Sequence, residues 1–254
     1  MPTEIVSGRG ATAGSGAGAL AVWWLPALVC LVSILSANAA YLVSLGYEQV
    51  AACVPYLEGC CSISRAARNE PAIHLFRATM IPVAVILAAV WWLAGQWLAQ
   101  AGDRSRSVRR TIVALGVMGA AFLVLYVTFL GTDGPVYDLM RRYGVIIFFA
   151  FTTLDQMIVT ARLQFLRRRE RPATGAGVER SMLLLAGTLL ALGLANIPAS
   201  HFFDVPGLQN AIEWTFALLM MAWFGLLSGA WKKSRFAVRS ASLAPPVKKS
   251  EPGG

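Results

Sequence analysis

The sequence predicts an all-α polytopic membrane protein, a bundle of six transmembrane helices with both termini cytoplasmic. Three observations carry that expectation. The 254-residue chain is 57% hydrophobic and only 14% charged, whereas a soluble domain carries about a quarter charged residues. Six apolar runs are each long enough to cross a hydrocarbon core about 30 Å thick. The basic residues between those runs fall alternately on two sides.

Residues 1–18 are rich in Gly, Ala, Ser and Thr and are expected to form a disordered cytoplasmic tail. The membrane domain follows over 19–233. Its spans are read as helices because lipid cannot satisfy free backbone groups, and because the alternation of barrel strands is absent.

The first span covers about 20–45 and contains Cys30. Its Ala37-Asn38-Ala39 stretch is similar to a signal-peptidase site, but the long run and the poorly basic segment before it favour a retained span. A loop over 46–75 follows, the only substantial non-cytoplasmic segment. It holds Cys53, Cys60 and Cys61, and an oxidising exterior permits a bridge from Cys53 to either of the others. Sequence alone does not choose the pairing.

The second span covers about 76–99, opened by His74 and Arg77, and the third about 111–131. The fourth, about 143–165, follows Asp138, Arg141, Arg142 and Tyr143. It carries Asp155 near its middle, where an acid costs a few kcal/mol unless it faces protein or water. Thr152, Gln156 and Thr160 lie near Asp155 on the helical wheel and make a polar stripe expected to face the bundle interior. Three roles suit Asp155: a neutral or hydrogen-bonded residue gluing the span to a neighbour, a proton site in a small transporter, or a contact to a lipid headgroup. Arg162, two turns on, is expected to snorkel to the cytoplasmic surface rather than pair with Asp155.

The fifth span covers about 181–200, with Gly187 and Ala191 four apart. His201 and Asp204 follow it. The sixth covers about 211–231, with Glu213 in its first turn and Gly225 and Gly229 spaced for close helix approach. The eight tryptophans mostly lie near span ends and are expected to anchor at the interface. Residues 234–254 form a basic cytoplasmic tail, its 240–254 end flexible.

All but five of the 22 basic residues fall on the expected cytoplasmic side, in the tails and the segments 100–110 and 162–180. The exceptions are Arg65, Arg68, Arg77, Arg141 and Arg142. This positive-inside pattern accounts for the formal charge of +9 as topology and as contact with anionic membrane lipids. No nucleic-acid partner is expected, since no aromatic–basic recognition motif accompanies the charges.

Polar residues gather instead at the outer span ends. Ser62, Ser64, His74, Arg77, His201 and Glu213 are the candidates for binding a lipid headgroup. His74, His201 and Glu213 would also suit acid–base work on one. The hydrolase elbow, the phosphate-binding loop and the His-Glu-x-x-His pair are absent. No metal site and no cofactor are expected.

Pro55, Ser62-Ile63-Ser64, Glu70-Pro71 and Phe76 in and after the first loop, with Ala211-Ile212-Glu213-Trp214 opening the last span, resemble the Frag1/DRAM/Sfk1 family. That family includes a remodelling factor for GPI-anchor lipids and the N-terminal region of the Cwh43 proteins. This chain departs from the common pattern where Arg65-Ala66-Ala67 follows Ser64 and where Glu70-Pro71 inverts the usual order. The resemblance implies an integral membrane protein linked to lipid handling, membrane organisation or autophagy-type membrane traffic, and the localisation expected here is the cell membrane. It also implies an enzymatic alternative, remodelling of GPI-type lipids, without assigning a nucleophile.

Overall fold

The computed structural model describes residues 19–202 and 205–239, with side chains over 20–195 and 205–238. The expected tails 1–18 and 240–254 lie outside the described residues. The elements in order are β1 (Ala19–Ala21), α1 (Trp24–Gly46), α2 (Pro55–Glu58), α3 (Ile63–Ala66), α4 (Ala72–Gln100), α5 (Arg106–Phe129), α6 (Pro135–Arg168), α7 (Ala176–Phe202), α8 (Leu208–Lys233) and β2 (Ala237–Arg239). Six of these helices, α1 and α4 to α8, are long and apolar enough to cross a membrane. Each packs on the next, and α8 returns to α1, so the six close into a ring.

Helix ends follow local chemistry. Ser105 caps α5, its Oγ accepting from the Val108 N–H at 3.5 Å. Pro135 starts α6 directly after Gly134, using the position where a missing N–H costs nothing. That start lies eight residues before the expected 143, and the 34 residues of α6 run roughly 51 Å at 1.5 Å per residue. Lys232 and Lys233 occupy the last turn of α8, where cations complement the helix dipole.

The two ends of the bundle differ. One holds the first loop with its disulfide. At the other, β1 pairs antiparallel with β2, Leu20 facing Val238, so residue 19 and residue 239 meet at the same end. The segment just past 233 therefore folds back onto the bundle. Trp97 Nε1 donates to Ser234 Oγ at 3.1 Å, and Phe236 stacks edge-on against Trp231.

Inside lipid, helices gain little from the hydrophobic effect and associate through packing and hydrogen bonds. The tryptophans show this and correct the interface reading. Trp91, Trp97, Trp214, Trp223 and Trp231 are buried in the core; Trp23, Trp24 and Trp92 are exposed. Trp91 meets Trp223 with ring centroids 5.9 Å apart, so α4 and α8 interlock through indole rings.

Close helix approach also falls elsewhere than the small-residue spacing suggests. Around Gly187 and Gly229 an added Cβ would meet nothing within 4 Å, and at Gly225 only the Cys30 sulfur at 3.4 Å. The tight contacts are at Gly116, where a Cβ would fall 2.2 Å from the Trp91 ring, and at Gly144, where it would fall 2.9 Å from the Tyr126 backbone.

Candidate functional site

The first loop is held to the bundle by polar contacts. The Cys53–Cys60 disulfide closes it. Tyr41 Oη donates to the Cys53 carbonyl at 2.9 Å, and Ser44 Oγ to the Ala66 carbonyl at 2.6 Å. Gly59, at φ +59°, abuts Gly207 so closely that a Cβ would fall 1.9 Å from its carbonyl oxygen. Only glycine fits there. Asn210 Nδ2 donates to the Gly59 carbonyl at 2.8 Å.

Glu213 and Trp214, opening α8, complete the attachment. Glu213 Oε1 accepts from the Ile63 N–H at 3.1 Å. Trp214 Nε1 donates to the Cys61 carbonyl at 2.9 Å. Ser64 Oγ lies 2.9 Å from Tyr126 Oη, which carries the loop onto α5.

Beneath this loop lies a narrow cleft, a cavity of about 60 Å³. Glu213, Asn38, Tyr56 and Tyr126 give it a polar rim; Phe76, Met80, Phe148, Phe149 and Ala217 are among its apolar walls. Met220 and Ser33 also line it. Asn38 Nδ2 and Tyr56 Oη are 2.8 Å apart. Apolar walls beneath a few placed polar groups are the usual form of a ligand site.

The predicted headgroup residues divide. Glu213 lines the cleft, and Ser64 is bonded to the rim residue Tyr126. Ser62 caps α3, its Oγ accepting from the Arg65 N–H. His74 sits on the outside, 3.4 Å from Glu70, with its side chain 66% exposed. Arg77 is directed to the carbonyls that end α5, its Nη2 donating to Thr128 at 2.9 Å and Leu130 at 2.8 Å. His201 lies in α7 with its side chain outside the described residues, and Asp204 is likewise outside them. Cys61 is buried and carries a free thiol, and burial pushes that thiol's pKa up.

Asn38, Tyr56 and Tyr126 were not among the candidates. Asn38 offered a signal, as an amide inside an apolar span, which the cleavage-site reading absorbed. The two tyrosines carried none, because an aromatic residue near a span end has an interface role to hand.

Thr152, Asp155 and Gln156 are fully buried on α6. Gln156 Nε2 donates to the Met220 carbonyl at 2.8 Å, tying α6 to α8. Both Asp155 oxygens lack a hydrogen-bond partner among the described residues. Arg162 points away from Asp155 and grips Asp103, with Nη2 at 2.6 Å and Nε at 2.9 Å.

Among the described residues no group of three or more metal-ligating side chains forms. A family model described as the Frag1/DRAM/Sfk1/Cwh43P N-terminal domain matches residues 21–233. No curated protein and no solved structure matches the chain.

Proposed function

The chain, a multi-pass membrane protein, belongs to the Frag1/DRAM/Sfk1/Cwh43 N-terminal domain family, and from that premise we propose that it binds a membrane lipid in the cleft under its first loop. The carrying observation is the pairing of an apolar slot with the Glu213–Asn38–Tyr56–Tyr126 rim. Part of an acyl chain would enter the slot, and hydroxyl or amine groups of the head would meet the rim's acceptors. A carboxylate at that rim disfavours a bare phosphate, so the head is zwitterionic or uncharged.

The reading includes an orientation. The disulfide end faces outward and the strand end faces the cytoplasm of a cell membrane, because most basic residues sit at the strand end. Anionic headgroups would meet those basic residues. The reading therefore places the cleft in the outer leaflet. A reporter fused after residue 240 should read cytoplasmic and one within 50–70 external.

Native mass spectrometry of gently extracted protein tests the binding. A lipid enriched over the surrounding membrane should accompany the wild-type chain. Ala217→Phe, which fills the slot from α8, should remove that lipid at unchanged protein yield. No enriched lipid, or one that the substitution leaves in place, would overturn the reading.

A further inference from the structure

A second cavity, of about 600 Å³, lies at the strand end of the bundle and shares no lining residue with the cleft. Arg104, from the connection between α4 and α5, lines one side. Arg162 of α6 and Arg169 and Arg171 just after it line the other. Among the described residues, Asp103 is the one acid in that lining.

Local structure brings the two sides together. At the end of α6 the chain reverses: Glu170 takes φ +57°, and the Arg171 N–H donates to the Leu166 carbonyl at 3.0 Å. A left-handed residue is a common helix ending. The turn lays the Arg171 side chain on Gly102, where an added Cβ would lie 3.5 Å from Nη1. Phe165 also lines the cavity. Its ring carries two guanidinium groups, Arg162 at 4.4 Å and Arg169 at 4.6 Å from the centroid. Such cation–π contacts orient the arginines and leave their charge in place.

The charges in the cavity do not balance. Arg162 commits Nε and Nη2 to the Asp103 carboxylate. Arg104, Arg169 and Arg171 are exposed and make no ion pair among the described residues. The positive-inside rule asks only that a loop be basic. It does not ask that arginines from two segments share one cavity. A concave site of one sign concentrates counter-ions, and guanidinium groups match phosphate oxygens in bidentate pairs. Three unpaired guanidinium groups exceed what one carboxylate offsets and suit a phosphate monoester, with about two negative charges near neutral pH. The volume is that of a small-molecule site, roughly 300–1,000 Å³, so it admits atoms attached to the phosphate. We propose that this cavity binds a phosphate monoester group through Arg104, Arg169 and Arg171, with the Arg162–Asp103 pair as its fixed wall. The group belongs to a lipid headgroup or to a soluble phosphate.

The test melts the full chain in micelles of an uncharged detergent at fixed neutral pH, with two probes. Inorganic phosphate is compared with chloride at equal ionic strength, and micelles doped with phosphatidic acid with micelles doped with phosphatidylcholine. At least one probe should raise the melting temperature by about 4 °C and saturate, as a ligand bound only by the folded state does. A response to phosphatidic acid alone assigns the site to a headgroup, and one to inorganic phosphate alone to a soluble phosphate. A response to both supports the shared phosphate chemistry. Arg169→Gln with Arg171→Gln should raise the half-saturating concentration about tenfold, and Arg104→Gln, on the opposite wall, about threefold. Arg106→Gln with Arg110→Gln removes the same charge outside this cavity and should leave that concentration unchanged. No response to either probe would overturn the proposal. So would an equal loss in the Arg106 and Arg110 double variant, which describes a diffuse basic surface. Ala217→Phe blocks the cleft and should keep the response; its loss there would put the ligand in the cleft and overturn the proposal. The two sites therefore fail separately.

Discussion

The carboxylate of Glu213 accepts a hydrogen bond from the backbone N–H of Ile63 at 3.1 Å, across 150 residues of chain. The last of the six long helices thereby holds the loop that follows α1 in place over the cleft. Glu213→Ala would leave the Ile63 N–H without that acceptor. An orphaned buried donor costs about 1–3 kcal/mol, so thermal unfolding should show a loss of that size. Glu213→Gln keeps a carbonyl oxygen and should lose less. Limited proteolysis within 46–71 should quicken in the same order. Equal behaviour of the two variants would show that the charge, not the hydrogen bond, matters.

The Cys53–Cys60 bridge acts on the same loop. Its closed segment is short, with a sequence separation of 7, so the chain-entropy contribution is modest, about 2 kcal/mol. Cys53→Ser with Cys60→Ser should lower the melting temperature while leaving the six spans inserted, because the polar ties from Tyr41, Ser44, Asn210 and Trp214 remain. Cys61 should stay unreactive to a bulky maleimide in the intact protein, being buried. Loss of membrane insertion in the double variant would contradict this division of labour.

At the opposite end, Asp103 is held by Arg162 with its side chain fully buried. Burial alone would raise its carboxyl pKa. The Arg162 hydrogen bonds and the Ser105 N–H outweigh that and hold it below its ordinary value of 3.8. A lowered folded-state pKa places the stabilisation above the unfolded value and removes it as pH falls through the folded one. Wild-type melting temperature should therefore drop on acidification below about 4, and Asp103→Asn should lack that part of the drop. Removing one partner of a buried ion pair leaves the other uncompensated. With Arg162 partly exposed, Asp103→Asn at neutral pH should cost about 2–3 kcal/mol.

The spans were legible because lipid makes one demand that sequence shows directly: about 20 apolar residues per crossing. The polar residues were not, because a side chain at a span end has both water and protein within reach. Arg77 looks like a headgroup ligand from its position, yet it caps α5, whose last carbonyls come near it only in the packed bundle. The tryptophans look like anchors, yet Trp91, Trp223 and Trp231 fill the bundle core. Glu213 stood out as an acid opening a span, but Asn38 and Tyr56 lie 18 residues apart and meet only because the first loop turns α2 back against α8. Partner identity at each of these sites is tertiary information.

The contact of α5 with its neighbours gives the sharpest packing prediction. Gly116 lies against Trp91, where a methyl group would come within 2.2 Å of the indole. Gly144 lies against the Tyr126 backbone at 2.9 Å. Side chains can shift more readily than helix backbones, so the two sites should respond differently. Gly116→Ala can be absorbed partly by rotation of Trp91, whose Nε1 has no hydrogen bond among the described residues to hold it. Overpacking of this kind costs about 1–3 kcal/mol. Gly144→Ala has to push α6 away from α5 near the cleft wall formed by Val145 and Phe148. It should cost at least as much and also weaken lipid retention, whereas Gly116→Ala should leave retention intact. Melting curves paired with native mass spectra of the two variants separate the outcomes. Unchanged stability in Gly144→Ala would show that α5 and α6 do not approach as closely as their glycine contact requires.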